Sequence, residues 1–206
     1  MDRQELLKLI PEATWRQALP SPDHTALLVV DMQEYFRSMV TDIIPDLDNL
    51  ISVCRDSNIP VIYTQHGHED PSQDGGMLGE WWGDLIIKGT RGAHILREIE
   101  PQPAEKIIAK NRYSAFYDTD LEHHLKTVGV KDLLVSGVMT NLCCETTARD
   151  AFVRDFRVFF LADGTATAGD DYHLATLRNL AFGFAYILTC DEIIDHLKKS
   201  RSLSDR

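Results

Sequence analysis

The stretch Asp132-Leu133-Leu134-Val135-Ser136-Gly137-Val138-Met139-Thr140-Asn141-Leu142-Cys143-Cys144-Glu145-Thr146-Thr147-Ala148-Arg149-Asp150-Ala151 changes its hydrophobic period partway along, and that change decides the fold. Asp132 to Val138 is a short, nearly continuous apolar run, the pattern of a strand covered on both faces. Leu142 to Asp155 then spaces its apolar residues as a helix does. A thiol, Cys143, falls in the first helical turn. Free backbone N–H groups and the positive end of the helix dipole gather there, so the position favours a thiolate and can bind an oxyanion beside it.

Outward from this stretch the same alternation recurs. Strands are expected at Ala26 to Asp31, Pro60 to Gln65, Lys106 to Lys110, Asp132 to Val138, Arg157 to Ala162 and Ala185 to Cys190. Helices are expected at Ile44 to Ser57, Asp118 to Val128, Leu142 to Asp155, Asp171 to Gly183 and Asp191 to Lys199. The pattern predicts an α/β fold, a three-layer, doubly wound, Rossmann-like sandwich around a six-stranded, mostly parallel sheet. Such a sheet binds ligands beyond the carboxyl ends of its strands. Asp31 closes the first strand, Lys110 closes the third and Cys143 follows the fourth, so topology alone delivers a carboxylate, an ammonium and a thiol to one edge.

The chain has 206 residues, 44% of them hydrophobic, enough for one domain with a sizeable core. That domain is expected over residues 25–206. Residues 1–24 read as an extension, a short helix followed by Pro20-Ser21-Pro22, packed outside the main fold or against another subunit. A net charge of -11 argues against sequence-independent contact with nucleic acid or anionic lipid. Cys54, Cys143, Cys144 and Cys190 read as reduced thiols, because the chain is neither short nor regularly spaced in cysteine. Met1 to Ile10 lacks the apolar stretch of a signal peptide, and no apolar run is long enough to span a bilayer, so a cytoplasmic protein is expected. The connection from His66 to Glu98, with Gly75-Gly76, Trp81-Trp82-Gly83 and Gly89-Thr90-Arg91-Gly92, is long enough to be functional and is expected to cover the pocket.

Three motifs carry a family resemblance. Val30-Asp31-Met32-Gln33, Lys110 followed by Ser114-Ala115-Phe116, and Gly137-Val138-x-Thr140-x-x-Cys143 with Thr147-Ala148-Arg149-Asp150-Ala151 resemble the isochorismatase-like cysteine hydrolases. Within that family the chain is most similar to plant-type nicotinamidases, through Gly79-Glu80-Trp81-Trp82 and the unbroken run from Gly137 to Ala151. The resemblance implies a catalytic triad of Asp31, Lys110 and Cys143. Asp31 would take the thiol proton and return it to the leaving amine, Lys110 would hold the carboxylate and favour the thiolate, and Cys143 would attack a carbonyl. It also implies a cis peptide bond between Val138 and Met139, with the N–H groups of Met139 and Cys143 as an oxyanion hole. Successive helical residues point about 100° apart, so only one of Cys143 and Cys144 can face the pocket. The motif selects Cys143, leaving Cys144, Cys54 and Cys190 as buried filler.

The resemblance further implies that Phe36 stacks on a planar substrate, with Trp81 or Trp82 as the opposing wall. Gln33, Tyr35, Tyr113 and Phe116 are additional lining candidates. Many nicotinamidases hold a divalent metal through an Asp-x-His pair and a second histidine. Here the matching segment is Gln65-His66-Gly67-His68-Glu69-Asp70, with His66 in the aspartate's place, and the later histidine motif is absent, although His94 lies in the loop. A site without metal or other cofactor is therefore expected, with His66 and His68 as loop residues or substrate contacts. Members of the family commonly assemble, which favours a homo-oligomer.

The leading reading is a cysteine hydrolase that cleaves a C–N amide bond of a small molecule, nicotinamide or a related amide, through a thioester. A second reading on the same fold is isochorismate cleavage, in which Asp31 protonates a vinyl ether and no nucleophile is needed. The siderophore-type isochorismatases carry glycine at the cysteine position, so Cys143 argues against it. A third is a non-catalytic small-ligand-binding protein. A dinucleotide site would require Gly-x-Gly-x-x-Gly after the first strand, where Asp31-Met32-Gln33-Glu34-Tyr35-Phe36 stands instead. Cys-His-Asn chemistry lacks a placed histidine, since His123, His124 and His173 fall on expected helices or their starts. Ser-His-Asp chemistry lacks its Gly-x-Ser-x-Gly elbow.

Overall fold

A computed structural model describes residues 8–204. The start of the expected N-terminal helix, residues 1–7, lies outside the described residues. Six strands form one sheet: β1 (Thr25–Val30), β2 (Val61–His66), β3 (Lys106–Lys110), β4 (Asp132–Val138), β5 (Arg157–Ala166) and β6 (Tyr186–Leu188). Their order is β3-β2-β1-β4-β5-β6, and every neighbouring pair is parallel. The winding reverses between β1 and β4, which puts the switch point between the strands that carry Asp31 and Cys143.

The principal helices are α1 (Ile44–Asp56), α2 (Gly76–Trp82), α3 (Leu121–Thr127), α4 (Glu145–Phe152), α5 (Asp170–Gly183) and α6 (Cys190–Ser204). Period-two alternation divides the strands between two cores. Leu28, Val30, Leu133, Val135 and Phe160 pack with Leu125 of α3, Ala148 of α4 and Leu177 of α5. Leu27, Val29, Leu134 and Phe159 pack on the opposite face with Leu47 and Leu50 of α1 and Ile193 and Leu197 of α6. β1 and β4 are buried along their whole length, as their unbroken apolar runs require.

Some boundaries differ from the sequence expectation. β1 stops at Val30, and Asp31 turns out of the strand with φ of 48°. β5 runs on to Ala166 because a register shift between Val135 and Gly137 lets the strand continue past Asp163 and Gly164. Residues 8–24 do not lie outside the fold. Ile10 is fully buried in the core beside α5, Arg178 holds the Leu9 carbonyl at 2.9 Å, and Trp15 meets Phe182 edge-on. An apolar residue in the extension was enough to draw it onto the domain.

Gly137 is required where β4 passes β1. Its φ is +110°, and a Cβ there would stand 2.0 Å from the Val30 carbonyl oxygen.

Candidate active site

Asp31, Lys110 and Cys143 meet at the carboxyl edge of the sheet, all buried. Asp31 is held by Thr64 of β2, whose hydroxyl accepts the Asp31 N–H at 3.0 Å and donates to Oδ1 at 2.5 Å. Lys110 reaches across from the edge strand β3. Its Nζ lies 2.6 Å from Asp31 Oδ2, donates to the Arg112 carbonyl at 3.0 Å and stands 3.5 Å from Cys143 Sγ. Oδ2 is buried against the Lys110 ammonium and has a further lone pair that can take a thiol proton.

The electrostatics correct one expectation. Burial pushes the Cys143 thiol up to about 12, and the Asp31 charge pushes the same way against the lowering effect of Lys110. Cys143 is therefore a resting thiol, and the helix-start position does not make it a standing thiolate. Burial works against the Lys110 ammonium, but the neighbouring Asp31 carboxylate outweighs it and keeps the lysine charged.

Cys143 lies on a π-type turn, Thr140–Cys144, between β4 and α4. Such turns recur at functional sites because they re-aim side chains out of a regular helix. The peptide bond between Val138 and Met139 is cis, as the resemblance implies. The amides of Leu142 and Cys144 both close on the Met139 carbonyl. Cys144 points inward, fully buried, toward the Ser136 carbonyl.

Two distant motifs lock the lysine loop onto the nucleophile helix. Ser114 Oγ donates to Asp150 at 2.5 Å, and the Ala115 N–H donates to Thr147 Oγ1 at 2.9 Å. The turn itself is clamped from β5 and α5. His173 Nε2 donates to the Ala162 carbonyl at 2.9 Å, which leaves Nδ1 to accept from Thr140 at 3.0 Å, while Thr167 donates to Asn141 at 2.6 Å. Thr64 and Arg112 were not singled out from the sequence, and His173 was read there only as a histidine at a helix start. Only Thr64 had a signal there, being two residues before His66 and so on the same strand face.

Several expected lining residues have other work. Gln33 is fully buried and spends its amide on backbone, accepting from the His66 N–H and donating to the carbonyls of His66 and Ala93. Phe116 is core, stacked on Phe156 with Arg154 over its ring. Trp81 is 76% exposed, while Trp82, half exposed, donates to the Tyr113 hydroxyl at 2.8 Å. Tyr35 is exposed and donates to Asp84. Phe36 and Met139 are both partly buried against the core that α1 and α6 cover.

His66 and His68 are buried. Their rings meet edge-to-face at 5.2 Å, and His66 Nδ1 and His68 Nε2 have no partner. Among the described residues no three His, Cys, Asp or Glu side chains are grouped to hold a metal ion. Two imidazoles alone fall short of the three protein ligands of a catalytic zinc site, so the residues present do not fit the metal of many nicotinamidases. His94 is exposed and lines a cavity of about 970 Å³ with Arg37 and Arg91, a cavity that none of the trio lines.

A parallel sheet with this switch point and this buried trio defines an isochorismatase-type α/β hydrolase fold, and the Isochorismatase domain family matches residues 25–192: the chain belongs to that family. It is 49% identical over 181 residues to Nicotinamidase 3 of Arabidopsis thaliana, covering 86% of this chain and 91% of that protein. It is 30% identical over 190 residues to the Isochorismatase of Bacillus subtilis, covering 88% of this chain but 61% of that one. Among solved structures, a cysteine hydrolase from Pseudomonas syringae pv. phaseolicola superposes with a TM-score of 0.83 at 26% identity, over 89% of this chain and 99% of that one.

Proposed function

We propose that this chain is a nicotinamidase-type cysteine hydrolase that cleaves the C–N bond of a small planar amide, with nicotinamide as the first candidate. The observation that carries the reading is the buried Asp31–Lys110 pair set against Cys143, with Asp31 Oδ2 open to the thiol proton. Because the resting thiol is protonated, deprotonation accompanies attack. Asp31 takes the Sγ proton as Sγ bonds to the amide carbon. The amides of Met139 and Cys143 hold the developing oxyanion. Asp31 then gives its proton to the leaving nitrogen, ammonia departs, and a thioester remains on Cys143. A water, deprotonated by Asp31, attacks the thioester, and the carboxylic acid leaves as Sγ regains a proton. Lys110 stays charged throughout and keeps Asp31 aimed.

Identity of 49% to a nicotinamidase along most of both chains favours amide hydrolysis over isochorismate cleavage, the less supported alternative. Cys143 favours it too, since vinyl ether protonation has no use for a thiol. No helix of the described residues is long and apolar enough to cross a membrane. The free thiols of Cys54, Cys143 and Cys144 support a place in the cytoplasm. We read the partner set as a small-molecule substrate and a second copy of the chain, without nucleic acid, on the net charge of -11; light scattering tests the assembly. The function is tested by ammonia release from nicotinamide and a panel of aryl and aliphatic amides, with isochorismate alongside. Release from a planar amide, lost in Cys143→Ala, is expected. Turnover of isochorismate alone, indifferent to that substitution, would overturn the reading.

A further inference from the structure

The turn that carries Cys143 is steadied by an imidazole that takes no part in the hydrolytic steps. Leu142 and Cys144, on either side of Cys143, both give their amides to the Met139 carbonyl, so Thr140–Cys144 is tied back to the end of β4. A π-type turn is a rare geometry that the backbone alone does not favour, so contacts from outside must keep it. Thr140 opens the turn and is fully buried, and its hydroxyl therefore needs a partner inside the protein.

That partner is His173, in the first turn of α5. Its tautomer follows from its other bond. The Ala162 carbonyl of β5 can only accept, so Nε2, 2.9 Å away, carries the proton. Nδ1 is then a bare lone pair, and the Thr140 hydroxyl at 3.0 Å donates to it. Burial lowers the pKa of the ring against the opposing pull of the Ala162 carbonyl and of Asp170 on the same helix, which keeps the ring neutral at neutral pH. One side chain thus joins β5, α5 and the first residue of the turn. Asn141, next along, has Thr167 as its partner at 2.6 Å but is only partly buried, so water can replace that partner, whereas the Thr140 hydroxyl is closed to solvent. Thr140 directly follows Met139 and precedes Cys143 by one turn, and those two residues supply the N–H groups of the oxyanion hole.

Resting on the amide-hydrolase reading, we infer that His173 is a positioning residue of that reaction: through the Thr140 hydroxyl it sets the direction of the turn, so that the N–H groups of Met139 and Cys143 converge on the oxyanion. It acts through Thr140 and not on the substrate. The oxyanion develops in the transition state and is absent from the bound amide, so a misaimed turn loses rate and keeps affinity. Alkylation of Cys143 by iodoacetamide forms no oxyanion and does not depend on that aim.

The test measures kcat and KM, for the amide that the wild type hydrolyses fastest, in wild type, His173→Phe, His173→Gln, Thr140→Val and the double variant Thr140→Val, His173→Phe. His173→Phe and Thr140→Val should each lower kcat about 100-fold with KM within about threefold of wild type. The double variant should be no slower than the slower single one, since both substitutions remove the same bond. His173→Gln, whose amide can both donate and accept, should recover part of the rate. Iodoacetamide should label Cys143 at close to the wild-type rate in all four, whereas a loosened fold would speed it by exposing the buried thiol. Thermal denaturation shows which variants are folded, and if His173→Phe is not, Thr140→Val carries the comparison. Wild-type kcat in a folded His173→Phe or Thr140→Val, losses that multiply in the double variant, or a fall carried by KM overturns the inference and leaves the hydrolase reading intact. A wild type that hydrolyses no amide overturns both.

Discussion

Lys110 Nζ stands 2.6 Å from Asp31 Oδ2 with both side chains fully buried. Removing one member leaves the other's charge stranded in a low dielectric, which typically costs about 3 to 5 kcal/mol, whereas removing both costs far less. Lys110→Met should therefore lower unfolding stability by that amount in urea titrations. The double variant Asp31→Asn, Lys110→Met should recover most of the loss while remaining inactive. Equal stability of Lys110→Met and wild type would show that the pair is not desolvated as described.

Asp31 raises the Cys143 pKa while Lys110 lowers it, so replacing the carboxylate tips the balance toward thiolate. Asp31→Asn should alkylate at Cys143 faster than wild type at neutral pH, yet hydrolyse amides about 100- to 10,000-fold more slowly for want of a proton acceptor. The wild-type thiol should alkylate more slowly than a free cysteine. Iodoacetamide kinetics beside ammonia release decide this, and hydrolysis by Asp31→Asn at the wild-type rate would contradict the assignment of Asp31 as base.

At Gly137 an added methyl meets the Val30 backbone at 2.0 Å, and the strand cannot yield without separating β1 from β4. Gly137→Ala should cost more than about 4 kcal/mol, at the severe end of single substitutions. Gly83→Ala, also at positive φ but with open space around it, should cost only about 1 kcal/mol. Comparable denaturation midpoints for the two variants would remove the steric argument.

His66 titrates at about 4 in the folded chain against about 6.5 when exposed. Between those values the unfolded chain binds a proton that the folded chain refuses, so stability falls as pH drops from about 6.5 to 4, by up to about 3 kcal/mol. His66→Gln should lose less stability across that window than wild type. His173 is lowered in the same direction in both proteins and cancels in the comparison. Parallel stability curves would place His66 in water.

Much of this site was legible in the letters because strand ends are. The apolar runs Leu27 to Val30, Lys106 to Lys110 and Asp132 to Val138 located the edge where Asp31, Lys110 and Cys143 converge, and the motif order named them. The protonation state of Cys143 was not legible, since desolvation depends on packing from several elements at once. The orientation of Gln33 and Phe116 was hidden for a related reason. They occupy irregular segments after strands, where no period says which way a side chain faces. Ser114 and Thr147 were quoted as motif members, but the bonds of Ser114 to Asp150 and of the Ala115 N–H to Thr147 became visible only when the lysine loop lay on α4.

The most direct test of the central claim, that Cys143 carries the acyl group, is intact-protein and peptide mass spectrometry on enzyme acid-quenched during turnover of a hydrolysed amide. The account predicts a single acyl adduct on the peptide containing Cys143, absent from Cys143→Ala, with product formation lost in that variant. Product formation by Cys143→Ala at the wild-type rate, with no adduct on the wild type, would contradict it.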